Sequence, residues 1–535
     1  MSRFHVLIAD EMSSRAVEIL RGHPEIDVAV KTGLKGDALK AAVAEIDALV
    51  VRSATKATAE VLAAANKLRV VGRAGIGVDN IDVKAASRRG VIVMNTPSGN
   101  AITTAEHAIC LLCSLARHIP QATASMRAGT WEKKRFEGTE LFGKTLGVLG
   151  LGNIGRIVAD RAQGLKMKVL AFDPVLTEEA ARKLGVELAP LDEVFARADF
   201  ISVHTPLTPE TRNLVGADAF RRMKPGVLIV NAARGGIVDE AALAEAIASG
   251  KVGGAALDVF SEEPPPKDHP VLASLLAMDR VICTPHLGAS TEEAQEKVAI
   301  EVAEQIADYL LNGRVRNAVN LPPLPSELGG RLGPFLDLAG LLGALASQLV
   351  ERIESVEIEV AGDVAEGGAS PIAAAAVAGL LRRHMDVPVN AVNAALLAAE
   401  RGIAVSEIKR GGGTDFTSLV TLRVKGAGEC AVRGTVFRTG TAHEPRVVAI
   451  DGFALEAALD GRILVLKNAD RPGVIGAVGT LLGQRAINVG RLQVGLDRGR
   501  AEALQLWNVD NDVDAATLDA VRALPHVRAA TLVTL

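Results

Sequence analysis

Aromatic residues are scarce, at 12 Phe, two Trp and a single Tyr in 535 residues. Packed cores must therefore be built from Ala, Val, Leu and Ile, and with 49% of the chain hydrophobic there is enough such material. Cysteine is scarcer still. Four thiols are too few for a disulfide scaffold, and Cys110 and Cys113 fall inside AEHAICLLCSLARH, whose apolar residues recur at helical spacing. Two buried helix thiols are expected there rather than a redox pair, and no second cysteine pair offers a zinc site, so no metal is expected. Neither sign of charge dominates: the net charge of −4 is spread along the chain and excludes the basic stripe of a nucleic-acid binder. Long apolar runs are missing too. The most apolar stretch, LGPFLDLAGLLGALASQLV (332–350), is broken by Asp337, so no membrane association is expected. FHVLIADEM near the start reaches Asp10 and Glu11 with no small-residue cleavage site, which reads as a first strand and not a signal peptide. The expectation is a soluble, cytoplasmic protein.

What the sequence does contain is a repeated alternation of strands and helices, in a length that points to about three or four domains. Over the first 95 residues, FHVLIAD, IDVAV, ALVVRS, RVVGRAG and VIVMN read as strands of a small parallel α/β unit. Thr103 and Glu106 have capping-box spacing ahead of a long apolar helix. Residues 143–285 give a second α/β series: KTLGVLGL, KVLAFDP, FISVHTP, GVLIVNAA, GAALDVF and RVICTP. A helix from about Thr291 to Leu311 leads into a linker holding Pro322, Pro323 and Pro325. Residues 330–455 combine helices with the strands SLVTLRV, RGTVF and RVVAIDG, and the segment from about 460 reads βαββαβ, the ferredoxin-like order.

TLGVLGLGNIGR (145–156) carries the first chemistry. Gly150, Gly152 and Gly155, with Asn153 and Ile154 between them, form G-x-G-x-x-G behind an apolar strand and ahead of a helix. Those glycines permit a tight turn, approach of backbone N–H groups to a pyrophosphate, and close helix–strand packing. Asp173 ends the next strand and can accept both ribose hydroxyls of an adenosine while repelling a 2′-phosphate, so NAD is expected over NADP.

Three charged residues stand at the ends of later strands, where α/β sheets place ligands: Arg234 in NAARGGIVDE, Glu263 in DVFSEEPPP and His286 in TPHLGAST. Singly they read equally well as an anchored surface arginine, a proline-loop acid and a cap. Together they supply a carboxylate clamp, an acid and a titratable base, the set needed to remove hydride from an alcohol that bears a neighbouring carboxylate.

The spacing of these motifs strongly resembles the D-isomer-specific 2-hydroxyacid dehydrogenase family over residues 1–320. GRAGIGVDNID, VMNTPSGNAITTAEH and HTPLTPETRNLV read closely like its phosphoglycerate dehydrogenase branch. The resemblance implies a Rossmann-like doubly wound cofactor domain (98–287) inserted in a flavodoxin-like substrate domain (1–97 and 288–318). It implies that Arg234 binds the substrate carboxylate, that His286 is the acid/base, and that Glu263 pairs with His286. Thr205, Ala232, Ala233, Asp258, Gly288 and Ala289 match cofactor contacts. Arg52, Ser53, Arg73 and Gly75 would face a phosphorylated substrate, joined by Arg135 of WEKKRFEG from a neighbouring subunit. The implied activity is NAD-dependent oxidation of 3-phospho-D-glycerate. A hydroxypyruvate or glyoxylate reductase and a non-enzymatic NAD(H)-sensing corepressor remain as alternatives.

Residues 330–535 resemble the two extra domains of long members of this branch: an α+β intervening domain (325–455) and a βαββαβ ACT regulatory domain (460–535). There the resemblance implies L-serine as a possible effector, with Asn468 and Asp470 in a loop and Asn488 opening the next strand. A homo-oligomer, dimer or tetramer, is implied, with the helix near Thr103 packing against its mate.

Overall fold

The computed structural model describes residues 3–266, 268–322, 329–412, 415–439, 442–497 and 501–535; Pro323 and Pro325 of the expected linker lie outside the described residues. Four sheets organise the described residues. The first consists of β1 (Phe4–Ile8), β2 (Ile26–Val30), β3 (Ala48–Val51), β4 (Val70–Arg73) and β5 (Ile92–Asn95). All pair in parallel, in the order β2-β1-β3-β4-β5, which is the flavodoxin-like arrangement. A parallel sheet covered on both faces demands continuous apolar strands, and Ala48–Val51 is buried throughout. One cover is the late helix Glu292–Asn312, whose Val298, Val302 and Ile306 pack with Val6, Ile8 and Val70. The chain thus returns to its first sheet, where Met94 bridges Ala318.

The second sheet holds β6 (Thr145–Leu149), β7 (Lys168–Phe172), β8 (Glu187–Leu188), β9 (Phe200–Val203), β10 (Val227–Asn231), β11 (Val252–Leu257) and β12 (Val281–Cys283). Its order is β12-β11-β10-β9-β6-β7-β8, all parallel, and the winding reverses between β6 and β9. Such a switch point opens a crevice beyond the carboxyl ends of the strands. The helix Ala101–Ala116 lies against this sheet through Ala105, Ala108, Leu112 and Leu115. Two expectations fail on it. Its N-cap is Asn100 with no side-chain capping bond, so Thr103 and Glu106 sit inside the first turns and form no capping box. Cys110 is exposed and Cys113 half-buried, because the core-facing stripe runs through Ala108, Leu111, Leu112 and Leu115.

The third sheet contains β13 (Glu351–Gly362), β14 (Ala404–Arg410), β15 (Ser418–Thr439), β16 (Ala442–Ile450) and β17 (Phe453–Ala458), ordered β14-β13-β15-β16-β17. Two helices, Gly329–Leu349 and Ala365–Leu381, cover it. They approach closely enough that a Cβ at Gly379 would lie 2.0 Å from the Gly340 carbonyl oxygen. Among the described residues one helix is long and apolar enough to cross a membrane, Arg331–Leu349. Its Leu338, Leu342 and Leu345 are instead fully buried against Ile372, Val420 and Leu422.

The fourth sheet is antiparallel: β18 (Arg462–Ala469), β19 (Val489–Asp497), β20 (Glu502–Val509) and β21 (Val527–Thr534), in the order β19-β20-β18-β21. With helices Val474–Gln484 and Ala515–Arg522 it completes the expected βαββαβ unit.

Candidate active site

The glycine turn lies at the carboxyl end of β6. Gly150 has φ +93°, and a Cβ there would stand 2.8 Å from the His204 carbonyl oxygen. A Cβ at Gly155 would lie 1.9 Å from the Gly150 carbonyl oxygen, so the helix Asn153–Gly164 can dock on the turn only through glycine. Around Gly152 there is open space, and no side chain caps the helix that follows. Its first N–H groups are therefore presented to an anion. Asn153 donates to the Pro97 carbonyl at 3.3 Å, and Ile154 packs against the hydrophobic core around Leu146 and Val148. Asp173 stands at the end of β7. Burial opposes its ionisation, but the N–H groups of Val175, Leu151 and Leu176 and the Arg156 charge hold its carboxyl below the usual range. Three acceptor positions are thereby occupied, and about one remains for a ribose hydroxyl.

Beyond the ends of β11 and β12 on the same sheet, Glu263 Oε2 and His286 Nδ1 are 2.6 Å apart. Burial raises the cost of the Glu263 charge, yet His286, the Phe260 N–H and nearby Arg234 keep the carboxyl below its ordinary value. An ionised carboxylate only accepts, so Nδ1 carries the proton and Nε2 is left with its lone pair. His286 has φ +54°, and its N–H donates to the Asp258 carbonyl at 2.9 Å. The Asp258 carboxylate is fully buried and accepts from Thr284 Oγ1 (2.5 Å), Leu287 N (2.8 Å) and Gly288 N (2.8 Å). His107 Nε2 reaches it at 3.1 Å. Asp258 thus builds the 284–288 turn that presents His286, with Ala289 half-buried just beyond.

Arg234 follows the buried Ala232 and Ala233 at the end of β10 and meets the first sheet. Its Nε donates to Asp79 Oδ2 at 2.9 Å and its Nη1 to the Ala233 carbonyl at 2.7 Å. A Cβ at Gly77 would lie 1.7 Å from Arg234 Nη2, and one at Gly75 1.7 Å from Arg73 Nη1, so both guanidinium tips rest on glycine. The Gly75 N–H is fixed by Thr96 Oγ1 at 2.7 Å. Burial and the Arg234 charge push Arg73 down to about 10, and its buried Nε has no partner among the described residues. Two cations forced together in this way form a receptor for an anion. Arg52 contributes at longer range: its Nη1 donates to the Glu11 carbonyl at 2.9 Å, while Ser53 is exposed.

Residues 109–288 match the NAD binding domain of the D-isomer specific 2-hydroxyacid dehydrogenases, and residues 331–451 the D-3-phosphoglycerate dehydrogenase intervening domain. A D-3-phosphoglycerate dehydrogenase of Synechocystis is 43% identical, over 99% of this chain and 94% of its own. One from Bacillus subtilis is 40% identical, over 99% of this chain and 100% of its own. The chain belongs to the D-isomer-specific 2-hydroxyacid dehydrogenase family, in its D-3-phosphoglycerate dehydrogenase branch. Among solved structures, the TT0316 protein of Thermus thermophilus matches with a TM-score of 0.54 and 33% identity, covering 59% of this chain and all of that one. A D-lactate dehydrogenase of Aquifex aeolicus, complexed with NAD and lactic acid, matches with a TM-score of 0.53 and 26% identity, covering 59% of this chain and all of that one.

NAD is the family's cofactor, and the residues present fit it. Besides the open glycine turn and Asp173, the His204 carbonyl and the Thr205 side chain lie against Gly150, and the buried Thr205 hydroxyl and His204 Nδ1 have no partner among the described residues. Burial pushes His204 down to about 4, so it is neutral and adds no charge to the turn. Other family expectations fare differently. Arg135 pairs with Asp279 and Glu132 on the surface of its own subunit and does not join the Arg73–Arg234 cluster of that subunit. Asn468 does not lie in a loop. It is buried inside β18, where its Oδ1 accepts from Gln505 Nε2 at 2.9 Å and its Nδ2 donates to the Ala469 carbonyl. Asp470 is exposed, and the exposed Asn488 donates to Asp510 Oδ2 at 2.5 Å. Sequence reasoning overlooked Gly77, Asp79, Thr96, His107 and Thr284. All lie in segments singled out for their resemblance, but their roles need contacts between distant parts of the chain.

Proposed function

We propose that the chain catalyses NAD-dependent oxidation of 3-phospho-D-glycerate to 3-phosphohydroxypyruvate, the first step of L-serine biosynthesis. The observation that carries the reading is the cluster of Arg73, Arg234, Glu263 and His286 at strand ends of the two parallel sheets, with the glycine turn on the same edge of the second. Arg234 holds the substrate carboxylate through the free end of its guanidinium. Arg73, with Arg52 behind it, holds the phosphate, whose two charges need more than one cation. His286 takes the C2 hydroxyl proton on Nε2, the nitrogen not engaged by Glu263, and Glu263 stabilises the imidazolium so formed. When bound, NAD supplies the hydride acceptor that makes the alcohol carbon a ketone. A glyoxylate reductase of Paecilomyes thermophila matches only 60% of the chain, whereas the relatives matched along almost the whole length are phosphoglycerate dehydrogenases.

The domain assignment that follows is 1–97 with 288–318 for substrate, 98–287 for NAD, 325–455 intervening and 460–535 as an ACT module. The protein works in the cytoplasm as a dimer or tetramer; exposed Ile119, Met126 and Trp131 near the helix Ile119–Arg127 favour a subunit contact there. L-serine is its effector, held by Asp470 and Asn488, with Asn468 serving the module's core. The catalytic reading is tested with His286→Ala. Turnover should fall at least ~100-fold, the scale of a positioned acid/base, with NAD affinity by calorimetry unchanged. Near wild-type turnover would remove His286 from the mechanism.

A further inference from the structure

Arg234 is not held by its own sheet alone. Its Nε is bound by Asp79, which sits in the loop after β4 on the other sheet and is 155 residues distant in sequence. Its Nη1 is bound by the Ala233 carbonyl, and its Nη2 lies directly over Gly77. A guanidinium is planar with its five donors in a fixed fork, so fixing Nε and one hydrogen of Nη1 fixes the direction of the rest. We propose that Asp79 is a positioning residue for the oxidation: reaching from the first sheet, it holds Arg234 by Nε and aims the Nη1–Nη2 end at the substrate carboxylate. The proposal rests on the reading of Arg234 as the carboxylate holder.

Two further observations support it. The Asp79 side chain is 63% exposed and that of Arg234 29%, and an ion pair so open to water contributes little to folding. The fold therefore has little use for it. Electrostatics alone also argue against a carboxylate at this place. The charges acting on Arg73 are those of Arg52, Arg234, Asp10 and Asp79. Asp10 is buried and occupied by the Arg52 and Thr55 N–H groups and the Thr55 hydroxyl. Asp79 is the exposed anion of the set, beside a receptor for an anionic substrate, where it repels what the site must bind. Orientation of Arg234 is the gain that offsets this repulsion.

The two roles have opposite signs in one assay. A bystander anion that merely repels substrate gives, once neutralised, a lower KM. A positioning carboxylate gives a higher one. Asp79→Ala, Asp79→Asn, Arg234→Gln and the Asp79→Ala/Arg234→Gln double variant are assayed by initial rates against 3-phosphoglycerate and NAD, with thermal unfolding alongside. Asp79→Ala should raise KM for 3-phosphoglycerate about tenfold or more, as misdirection of a clamp does. Asp79→Asn, which retains an oxygen for Nε, should raise it less, and KM for NAD and the unfolding temperature should not move. In the Arg234→Gln background Asp79→Ala should not raise KM further and, with only the repulsion left to remove, should lower it. An unchanged or lowered KM for 3-phosphoglycerate in Asp79→Ala overturns the proposal. If Arg234→Gln itself leaves KM and kcat unchanged, the reading of Arg234 fails and the proposal with it. If Arg234→Gln is impaired while Asp79→Ala is not, only the positioning role is lost.

Discussion

Replacing Gly77 with alanine puts a methyl group where Arg234 already lies. The new Cβ would stand 1.7 Å from Nη2, 2.9 Å from Cζ and 2.7 Å from Asp79 Oδ2. Ordinary contacts between such atoms are roughly 3.5 Å, so the guanidinium tip must retreat by about 2 Å. The backbone itself does not object, because Gly77 is not among the glycines with positive φ. Alanine there restricts the unfolded chain, and stability should stay within about 1 kcal/mol of wild type. Catalysis should not. Misplacing a substrate-holding group by even ~1 Å costs on the order of 100-fold in rate, which corresponds to about 2.7 kcal/mol of transition-state stabilisation. Steady-state kinetics should show kcat/KM for 3-phosphoglycerate reduced by about that factor, KM for NAD unchanged, and a thermal unfolding curve superimposable on wild type. A Gly77→Ala enzyme with wild-type kcat/KM would refute the placement of the carboxylate site at the Arg234 guanidinium tip that rests on Gly77.

Other substitutions probe the remaining parts. Asp173→Ala should weaken NAD binding and narrow the preference over NADP, read as the ratio of kcat/KM values, since its charge no longer faces a 2′-phosphate. Glu263→Gln should lower kcat/KM for 3-phosphoglycerate by less than His286→Ala does, because the imidazolium formed in the step loses its anionic partner while the base itself is kept. Stability gives a second reading of the same residue. The folded state holds Glu263 below its ordinary value, so its contribution is complete above that value and lost as pH falls through the folded one. Denaturant midpoints measured down through the carboxylate range should therefore fall less steeply for Glu263→Gln than for wild type. With L-serine as the proposed effector, Asp470→Ala should abolish its inhibition without changing the uninhibited kcat, whereas Asn468→Ala should lower the unfolding temperature, because it leaves buried Gln505 Nε2 unpaired.

The parts of the molecule that could be read from sequence are those whose logic is local. Gly150, Gly152 and Gly155 announce a turn because strand, glycines and helix are contiguous, and Asp173 is found by counting to the next strand end. Arg234, Glu263 and His286 each follow an apolar run, which places them on one edge of a parallel sheet. Asp79 and Gly77 carry no such signal, since their meaning depends on a partner in another sheet. Asn468 is misread from sequence for a related reason. An Asn at the end of an apolar strand reads as the start of a loop, but here Gln505 from β20 pairs with it and Trp507 Nε1 donates to Gln505 in turn, so a polar ladder sits inside the core. β13 lies outside the strands expected in 330–455 although its period is legible: Val356, Ile358 and Val360 are buried at every second position, with Glu357 and Glu359 on the other face bound to Arg423. The helix Ala365–Leu381 is not legible, because small apolar residues on every side leave no amphipathic period.

The most direct test of the account is NADH formation by the full-length protein with NAD and each of 3-phospho-D-glycerate, D-glycerate and D-lactate. The Arg73–Arg234 receptor has cations for both a carboxylate and a phosphate. The expected result is turnover with 3-phospho-D-glycerate and a kcat/KM at least ~100-fold lower for the two acids without phosphate, as loss of a charged anchor requires. Equal kcat/KM for all three acids, or turnover only with D-lactate or D-glycerate, would contradict it.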